Sequence, residues 1–457
     1  MKKTSWVFGI MAILIALFVS PWLGIVPPAS SSGKASSESR SGTTLIYLPF
    51  IARNWLDRGP HLPLGYGPYR TGQAPDGIQP SSAEIEQDFG IIERETRLAR
   101  TFGACDALAL VPPIARQRGI HLYQGANLST NPSENTRQMN CYNTLLSANP
   151  NIVAGIIGNE TLLRGDLSET QLIDYINQAK PMGTIPVSTA ETWDVWCNLK
   201  GTKPRCPGRP ALSAAVDFIT AHVYPYWEAV PIDHAAAHVM ATYITLRAQY
   251  PNKEIIIGEA GWPTCGDTKG GAVPSIENQR RFIEKLWAWS KAYNMQVVYF
   301  ETFDEPWKAN QEGPVGGCWG MYSVDRTPKH SSLDWSIPAI APAPTTPTVT
   351  LEHPQGLTTT VTKSNCAIPV FGRVYNAQPG WQVRVEVLTN QWYLQDGWYV
   401  NGLAPMVNGM WGMPEITLAG QGQYNNHSVR ASLVDEFGTT QATSQVSGIT
   451  RTNSCTP

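Results

Sequence analysis

The chain has 457 residues, with 34 Lys and Arg against 36 Asp and Glu, a net charge of −2, and charged residues making up only 15% of the total. With no basic block it lacks the electrostatic footprint of a nucleic-acid binder, and its length predicts two or three domains. Its 16 Trp, 17 Tyr and 11 Phe, set beside so little charge, suit a neutral polar ligand, with at least half of the tryptophans expected in cores.

Lys2 and Lys3 precede an apolar run from Trp6 to Val26, broken only by Ser20 and Pro21. Residues 1–28 therefore read as a signal peptide or an N-terminal membrane anchor. The run is long enough to attach the chain through residues 6–26, while Pro21 and Ala29 before Ser30 to Ser32 leave cleavage open. Either way the bulk is expected outside the cytoplasmic membrane, secreted or held at the cell surface. There the eight cysteines favour disulfides over metal ligands. No Cys-x-x-Cys and no zinc-type Cys/His spacing occurs, so neither metal nor other cofactor is expected. Residues 29–60 begin Ser-, Gly- and Lys-rich and are expected to be a linker, although Leu45 to Ile51 is an apolar patch without an evident role.

Between residues 61 and 335, eight apolar runs predict strands at Leu64–Gly67, Arg97–Phe102, Ile120–Gly125, Ile152–Ile157, Ile185–Thr189, Val216–Val223, Glu254–Gly258 and Val297–Phe303. Continuous apolar runs are what parallel strands buried on both faces look like. Helical patterns fall between them at Ser168–Lys180, opened by a Ser168/Gln171 capping box, at Asp233–Tyr250 and at Glu277–Asn294. The alternation predicts an α/β fold, a (β/α)8 TIM barrel. A doubly wound sheet lacks support, because no strand is followed by G-x-G-x-x-G and no Walker A motif exists. Pro338, Pro342, Pro344 and Pro347 mark a linker over 336–349. Beyond residue 350 the period drops to two, as in Gln382–Leu388, with turn signals at Pro379-Gly380, Asp396-Gly397, Asn401-Gly402 and Phe437-Gly438. A small all-β immunoglobulin-like sandwich is expected over 350–457.

In such a barrel, chemistry sits at the C-terminal ends of the strands. Strand four ends in Asn159-Glu160, strand five in Glu191, strand six in His222-Val223-Tyr224 and strand seven in Gly258-Glu259; strand eight holds Glu301 and leads into Asp304-Glu305. A chain poor in acids thus gathers carboxyl groups on one rim, the arrangement that acid/base work requires. The chemistry implied is glycoside hydrolysis, in which one carboxylic acid protonates the leaving oxygen while a second carboxylate attacks or activates water. Glu160 and Glu259 are the expected pair.

Several of these runs resemble glycoside hydrolase family 17, nearer its microbial than its plant branch, in order from residue 63 to about 330. They are Gly65-Tyr66-Gly67-Pro68-Tyr69-Arg70-Thr71-Gly72-Gln73, Ile157 to Arg164, His222 to Trp227, Gly258-Glu259-Ala260-Gly261-Trp262-Pro263-Thr264, Gly271 to Ser275 and Phe300 to Lys308. The resemblance implies a retaining enzyme that cleaves β-1,3-glucan, endo-acting, with Glu160 as general acid/base and Glu259 as nucleophile. It implies that Asn159 bonds the sugar 2-hydroxyl, that Tyr224 positions the nucleophile, and that Tyr66, Glu191, Glu305 and Lys308 contact substrate. Trp262, Trp307 and Trp319 are candidates to stack on sugar faces, a core role being as good for Trp262. Ala260 and Thr264 depart from the family's usual Thr and Ser without removing a catalytic group. Cys197 to Cys206 looks like an insertion that reshapes the cleft.

Cys265 follows strand seven and Cys318 strand eight, so a bridge between them would staple the rim. Cys105 with Cys141, Cys197 with Cys206 and Cys366 with Cys455 are the other expected pairs. His234 and His238 are spaced i, i+4 but lack an acidic partner beyond Asp233, and a solvated face is expected for them. Asn159-Glu160-Thr161 matches a glycosylation sequon by coincidence. The expected partner is a β-glucan polysaccharide or oligosaccharide, and the expected state a monomer. Two other functions fit the same residues. One is a β-1,3-glucanosyltransferase sharing the glycosyl-enzyme intermediate. The other is a non-catalytic carbohydrate-binding surface protein using Trp392, Trp398 and Trp411 of the sandwich.

Overall fold

In the computed structural model, residues 61–199, 206–337, 339, 342–356, 358–361, 366–395, 402–418 and 426–451 are described. The expected leader and first linker, Trp398 and Cys455 lie outside them. Eight strands close a barrel in chain order: β1 (Leu64–Gly65), β2 (Leu98–Arg100), β3 (His121–Ala126), β4 (Ile152–Asn159), β5 (Val187–Thr192), β6 (Ile219–His222), β7 (Ile255–Ala260) and β8 (Gln296–Tyr299). Every neighbouring pair is parallel, including β1 with β8. Leu98, Tyr123, Ala154, Ile156, Ala190, Phe218, Ile256 and Val298 form a cluster of their own that fills the barrel. A second, larger core lies under the helices. Such two-sided burial is why the strand sequences read as unbroken apolar runs.

The helices are α1 (Ser82–Glu95), α2 (Val111–Gln117), α3 (Pro132–Ala148), α4 (Glu169–Ala179), α5 (Trp193–Trp196), α6 (Pro210–Ala215), α7 (Ile232–Gln249), α8 (Ile276–Ala292) and α9 (Ala309–Glu312). Their starts are chemically marked. Ser81 with Glu84 and Ser168 with Gln171 form reciprocal capping boxes, and the Ser275 side chain accepts from the Asn278 N–H. None of the described helices is long and apolar enough to cross a membrane. Disulfides join Cys105 to Cys141, Cys197 to Cys206 and Cys265 to Cys318; Cys366 was expected to pair with a residue outside those described.

The C-terminal region carries two sheets. One has the order β10 (Thr358–Thr359), β18 (Thr440–Arg451), β17 (His427–Val434), β12 (Gln382–Leu388) and β13 (Trp392–Leu394), with β14 (Leu403–Ala404) also on β12. The other has the order β15 (Met406–Val407), β16 (Met410–Thr417), β11 (Ala367–Tyr375) and β9 (Thr348–Val349). In β12 the alternation is literal: Val383, Val385 and Val387 are buried and the residues between them are not.

Barrel and sheets form one compact unit, and α7 is the reason. It is buried continuously from His234 through Leu246, as a helix enclosed on all sides must be. The barrel covers one side and β11 and β16 cover the other. Gly412 brings β16 close: a Cβ there would stand 3.1 Å from Ile244 Cδ1 and 3.3 Å from Ala241 Cα. Trp289 packs edge-on against Phe371 at 4.8 Å, and the Arg373 guanidinium stacks over Tyr293 at 4.0 Å. His234 and His238 are therefore not on a solvated face. Both are buried. His234 Nδ1 lies 2.7 Å from His353 Nε2, and His234 Nε2 lies 2.5 Å from Thr359 Oγ1. Trp411 is fully buried, donating to the Thr350 carbonyl, and Trp392 carries the Arg430 guanidinium on its ring at 3.9 Å. Trp411 therefore offers no open face for stacking on a sugar, and one face of Trp392 is taken by Arg430.

Candidate active site

The end of β4 is bent rather than extended. Its register with β5 shifts between Ile156 and Asn159, Gly158 has φ +80° and Glu160 has φ +54°. A non-glycine residue in the left-handed region costs energy, and here it turns the Glu160 side chain over the barrel mouth. The Glu160 N–H donates to the Ala190 carbonyl at 2.7 Å, which fixes the turn to β5. At β7 the requirement is space. A Cβ on Gly258 would stand 2.2 Å from Thr220 Cγ2 and 3.1 Å from Arg100 Nη1. Glycine lets Arg100, at the end of β2, slide beneath Glu259.

Arg100 is 1% exposed and organises the floor. Its Nη1 donates to Glu259 Oε1 and to the Gly258 carbonyl, both at 2.8 Å, and its Nη2 donates to Asn159 Oδ1 at 2.5 Å. His222 stands between the two glutamates, with Nδ1 2.8 Å from Glu160 Oε1 and Nε2 3.1 Å from Glu259 Oε1. Arg100 Nη1 also points at His222 Nε2, 3.0 Å away. A guanidinium only donates, so Nε2 accepts and the ring proton sits on Nδ1, facing Glu160. Burial, reinforced by Arg100, pushes His222 down to about 3, so the ring is neutral. The Tyr224 hydroxyl donates to Glu259 Oε2. Burial and the Glu259 charge hold that phenol far above its usual range. Glu160 is pushed up by burial, against the pull of Arg164 and Arg100.

Donor atoms of Glu160, His222 and Glu259 all lie within 4.8 Å of one another. That grouping has the geometry of a metal-ligand set. Its cation already exists, however, because the Arg100 guanidinium occupies both His222 Nε2 and Glu259 Oε1. A pair of carboxyl groups this close matches the roughly 5–5.5 Å of glycosidases that form a covalent intermediate, and not the roughly 6.5–9.5 Å of those that admit a water between them.

The pair lies in a cleft of about 1220 Å³. Asn159, Tyr224, Glu305, Trp307, Lys308 and Trp319 line it, as expected from the sequence. Tyr66, Glu191 and Trp262 do not. Tyr66 is buried below the rim and donates to Asp88 Oδ2 at 3.0 Å. Glu191 faces back toward β4, accepting from Thr161 Oγ1 and from the Leu162 and Leu163 N–H groups at 2.8–3.2 Å. Trp262 packs in the core on Phe282 and donates to the Val273 carbonyl. Glu301 is likewise buried, beyond the end of β8, with Lys308 Nζ 2.5 Å from its Oε2 and 2.7 Å from Glu305 Oε2. Gly67 admits the Glu305 carboxylate, which would stand 2.3 Å from any Cβ there.

Sequence reasoning missed Arg100 and gave His222 no role. Asking what ends each strand would have found both, had the question covered cations as well as acids. It also missed Tyr69, Phe102, Trp193, Trp227, Glu228 and Glu312 on the cleft walls. Of these, Tyr69 and Trp227 stood inside quoted motifs, and Glu228 directly follows one. The Cys265–Cys318 bridge does staple the rim, and the Thr264 N–H donates to the Cys318 carbonyl beside it at 2.9 Å.

Residues 64–320 match the profile of the BtgE/BtgC glycoside hydrolase domain. A glucan 1,3-β-glucosidase of Arthroderma benhamiae is 27% identical over 275 residues, 56% of this chain and 87% of that protein. Among solved structures, the glycoside hydrolase family 17 β-1,3-glucanosyltransferase of Rhizomucor miehei superposes with a TM-score of 0.53 at 25% identity, covering 61% of this chain and 99% of that one. An active-site mutant of the same enzyme in complex with laminaritriose gives a TM-score of 0.52 at 25% identity, with the same coverage.

Proposed function

Since the chain belongs to the BtgE/BtgC glycoside hydrolases, within glycoside hydrolase family 17, and acts on β-1,3-glucan, we propose that it does so with retention, using Glu259 as nucleophile and Glu160 as acid/base. A Glu259 oxygen attacks the anomeric carbon while the Glu160 carboxylic acid gives its proton to the glycosidic oxygen. The C–O bond breaks and a glycosyl ester forms. Glu160, now a carboxylate, takes a proton from water as that water's oxygen attacks the same carbon and releases Glu259. The observation that carries this reading is the approach of the two carboxyl groups to within 4.8 Å. Arg100 and Tyr224 each hold one Glu259 oxygen and aim the carboxylate, and burial pushes the Glu160 carboxyl upward, toward the protonated form that a general acid needs.

The walls of the cleft come from the loops after β1, β2, β6 and β8, with Asp76, Asp106, Trp227 and Glu312 among the lining residues, and a cleft of that extent supports internal cleavage of a long chain. A polymeric substrate and three disulfides fit action outside the cytoplasmic membrane. The likeness to the Rhizomucor miehei glucanosyltransferase favours a second reading, in which a sugar hydroxyl replaces water in the second step. Reducing-sugar release from β-1,3-glucan tests the first reading: wild type is expected to be active and Glu259→Ala lower by at least about a thousandfold. Equal rates would refute it. Products longer than the starting laminari-oligosaccharide would establish transfer.

A further inference from the structure

The sheets beyond residue 345 have no part in the chemistry above, yet one of them is linked to the cleft wall through a side chain of α7. His238 lies on α7 between β16 and the cleft wall and is 5% exposed. On one side its Nε2 is 2.9 Å from Glu228 Oε2. On the other its Nδ1 is 3.4 Å from the carbonyl oxygen of Pro414 in β16. The second Glu228 oxygen accepts from Trp193 Nε1 at 2.9 Å, and Trp193 meets the His238 ring edge-on at 6.1 Å. Trp193 and Glu228 both line the cleft. Pro414 lies outside residues 64–320, the part shared with the family.

Both partners of His238 are acceptors. A carboxylate and a carbonyl have no proton to give, so the arrangement closes only when both ring nitrogens donate, that is, when the ring is an imidazolium. We propose that His238 is a positioning residue through which the C-terminal sheets hold the Glu228–Trp193 wall of the substrate cleft, the Pro414 carbonyl fixing the ring as a cation that orients Glu228. The charged groups facing the ring are Glu228 from the loop after β6 and Glu415 from β16; on α7 itself, His234 is one turn away and tied to His353 and Thr359. Burial opposes protonation, but Glu228, the Pro414 carbonyl and Glu415 together raise the ring above its usual range. Loss of the proton frees one of the two contacts, and Glu228 with it. The effect belongs to substrate binding and not to the glycosyl transfer step, since neither His238 nor Glu228 touches Glu160 or Glu259.

This inference rests on the cleft being the glucan site, so its test separates the two. Steady-state kinetics of the full chain on laminari-oligosaccharides, from mildly acidic to alkaline pH, compares wild type with His238→Phe and His238→Gln. In wild type, KM is expected to rise as pH passes upward through the His238 pKa. His238→Phe is expected to hold KM at every pH about tenfold above the wild-type value at low pH, with kcat within about twofold and the KM step gone. His238→Gln, which keeps one amide donor toward Glu228, is expected to restore most of the low-pH KM without the step. A wild-type KM flat across the range, or a step that survives in either variant, would overturn the proposal, and both outcomes stand even where the Phe variant does not fold. Ring-nitrogen NMR of the full chain reads the same claim without turnover. Two protonated nitrogens on His238 at neutral pH support it and a neutral ring overturns it, whereas absence of any glucan cleavage by wild type would instead refute the function proposed above.

Discussion

Glu160 and Glu259 differ less in chemistry than in what surrounds them. Glu259 has a guanidinium and a phenol on its two oxygens. Glu160 has a neutral imidazole, a strained backbone and partial burial, its side chain 23% exposed. That asymmetry supports the acid/base role proposed for Glu160, and it can be read out in two ways. Glu160→Ala is expected to cut turnover of glucan by at least about a hundredfold, while barely slowing bond cleavage with an aryl glycoside, whose acidic leaving group needs no proton. Single-turnover rates on the two substrates check this, and equal losses would contradict it. Stability should respond too. Because burial raises the folded-state pKa of Glu160, stability present below the unfolded value is lost as pH rises through the folded one. Glu160→Gln, neutral at every pH, is therefore expected to melt above wild type at neutral pH and to lose that advantage in acid. At this scale the pair was legible because carboxylates at strand ends are visible in a sequence. Arg100 was not, since its value lies in reaching under Gly258 from another strand. Tyr66, Glu191 and Trp262 have the residue types of a sugar site but sit one layer below the surface, and depth is not written in residue type.

The rim elements are held by polar side chains that never reach the cleft. Glu191, at the end of β5, accepts three hydrogen bonds from Thr161, Leu162 and Leu163, the residues that follow Glu160. Burial raises its carboxyl to about 7, so in this element, too, stability falls as pH climbs from the ordinary carboxyl range through about 7. Glu191→Ala leaves those three donors unpaired. It is expected to cost about 2–4 kcal/mol in urea unfolding and to lower kcat by at least about tenfold, by releasing the loop that carries Glu160. Unchanged kcat in a folded variant would show that the loop holds itself. Element type was readable wherever local chemistry decides it: the Ser168/Gln171 box and the β12 alternation fell where the sequence placed them. Ends were less readable. Val297 to Phe303 reads as one strand, but pairing stops at Tyr299, after which the Glu301 and Thr302 N–H groups turn to Trp319 and Gly65.

For the whole molecule, the sheets pack on the barrel through α7, and the buried His234–His353 pair lies in that contact. His234 alone does not announce an interface in the sequence, because its partner His353 stands 119 residues further on. Burial pushes His234 down to about 4 and His353 well below its usual range. A base lowered in the folded state gives stability that is present above its unfolded pKa and lost as pH falls from about 6.5 toward 4. Glu160 and Glu191 change in the opposite sense over part of that window, so the contribution is isolated by difference. His353→Gln, which hydrogen-bonds without titrating, is expected to gain on wild type in thermal melts as pH drops from about 7 to about 5; a constant gap would place the acid sensitivity elsewhere. What the assembled cleft does to one glycosidic bond is read most directly from the anomeric configuration of the first product. Proton NMR of a laminari-oligosaccharide during the first turnovers should show the new reducing end appearing as the β-anomer and reaching the α-anomer only by mutarotation. Initial appearance of the α-anomer would mean inversion by a water between the carboxyl groups, and would contradict a nucleophilic Glu259.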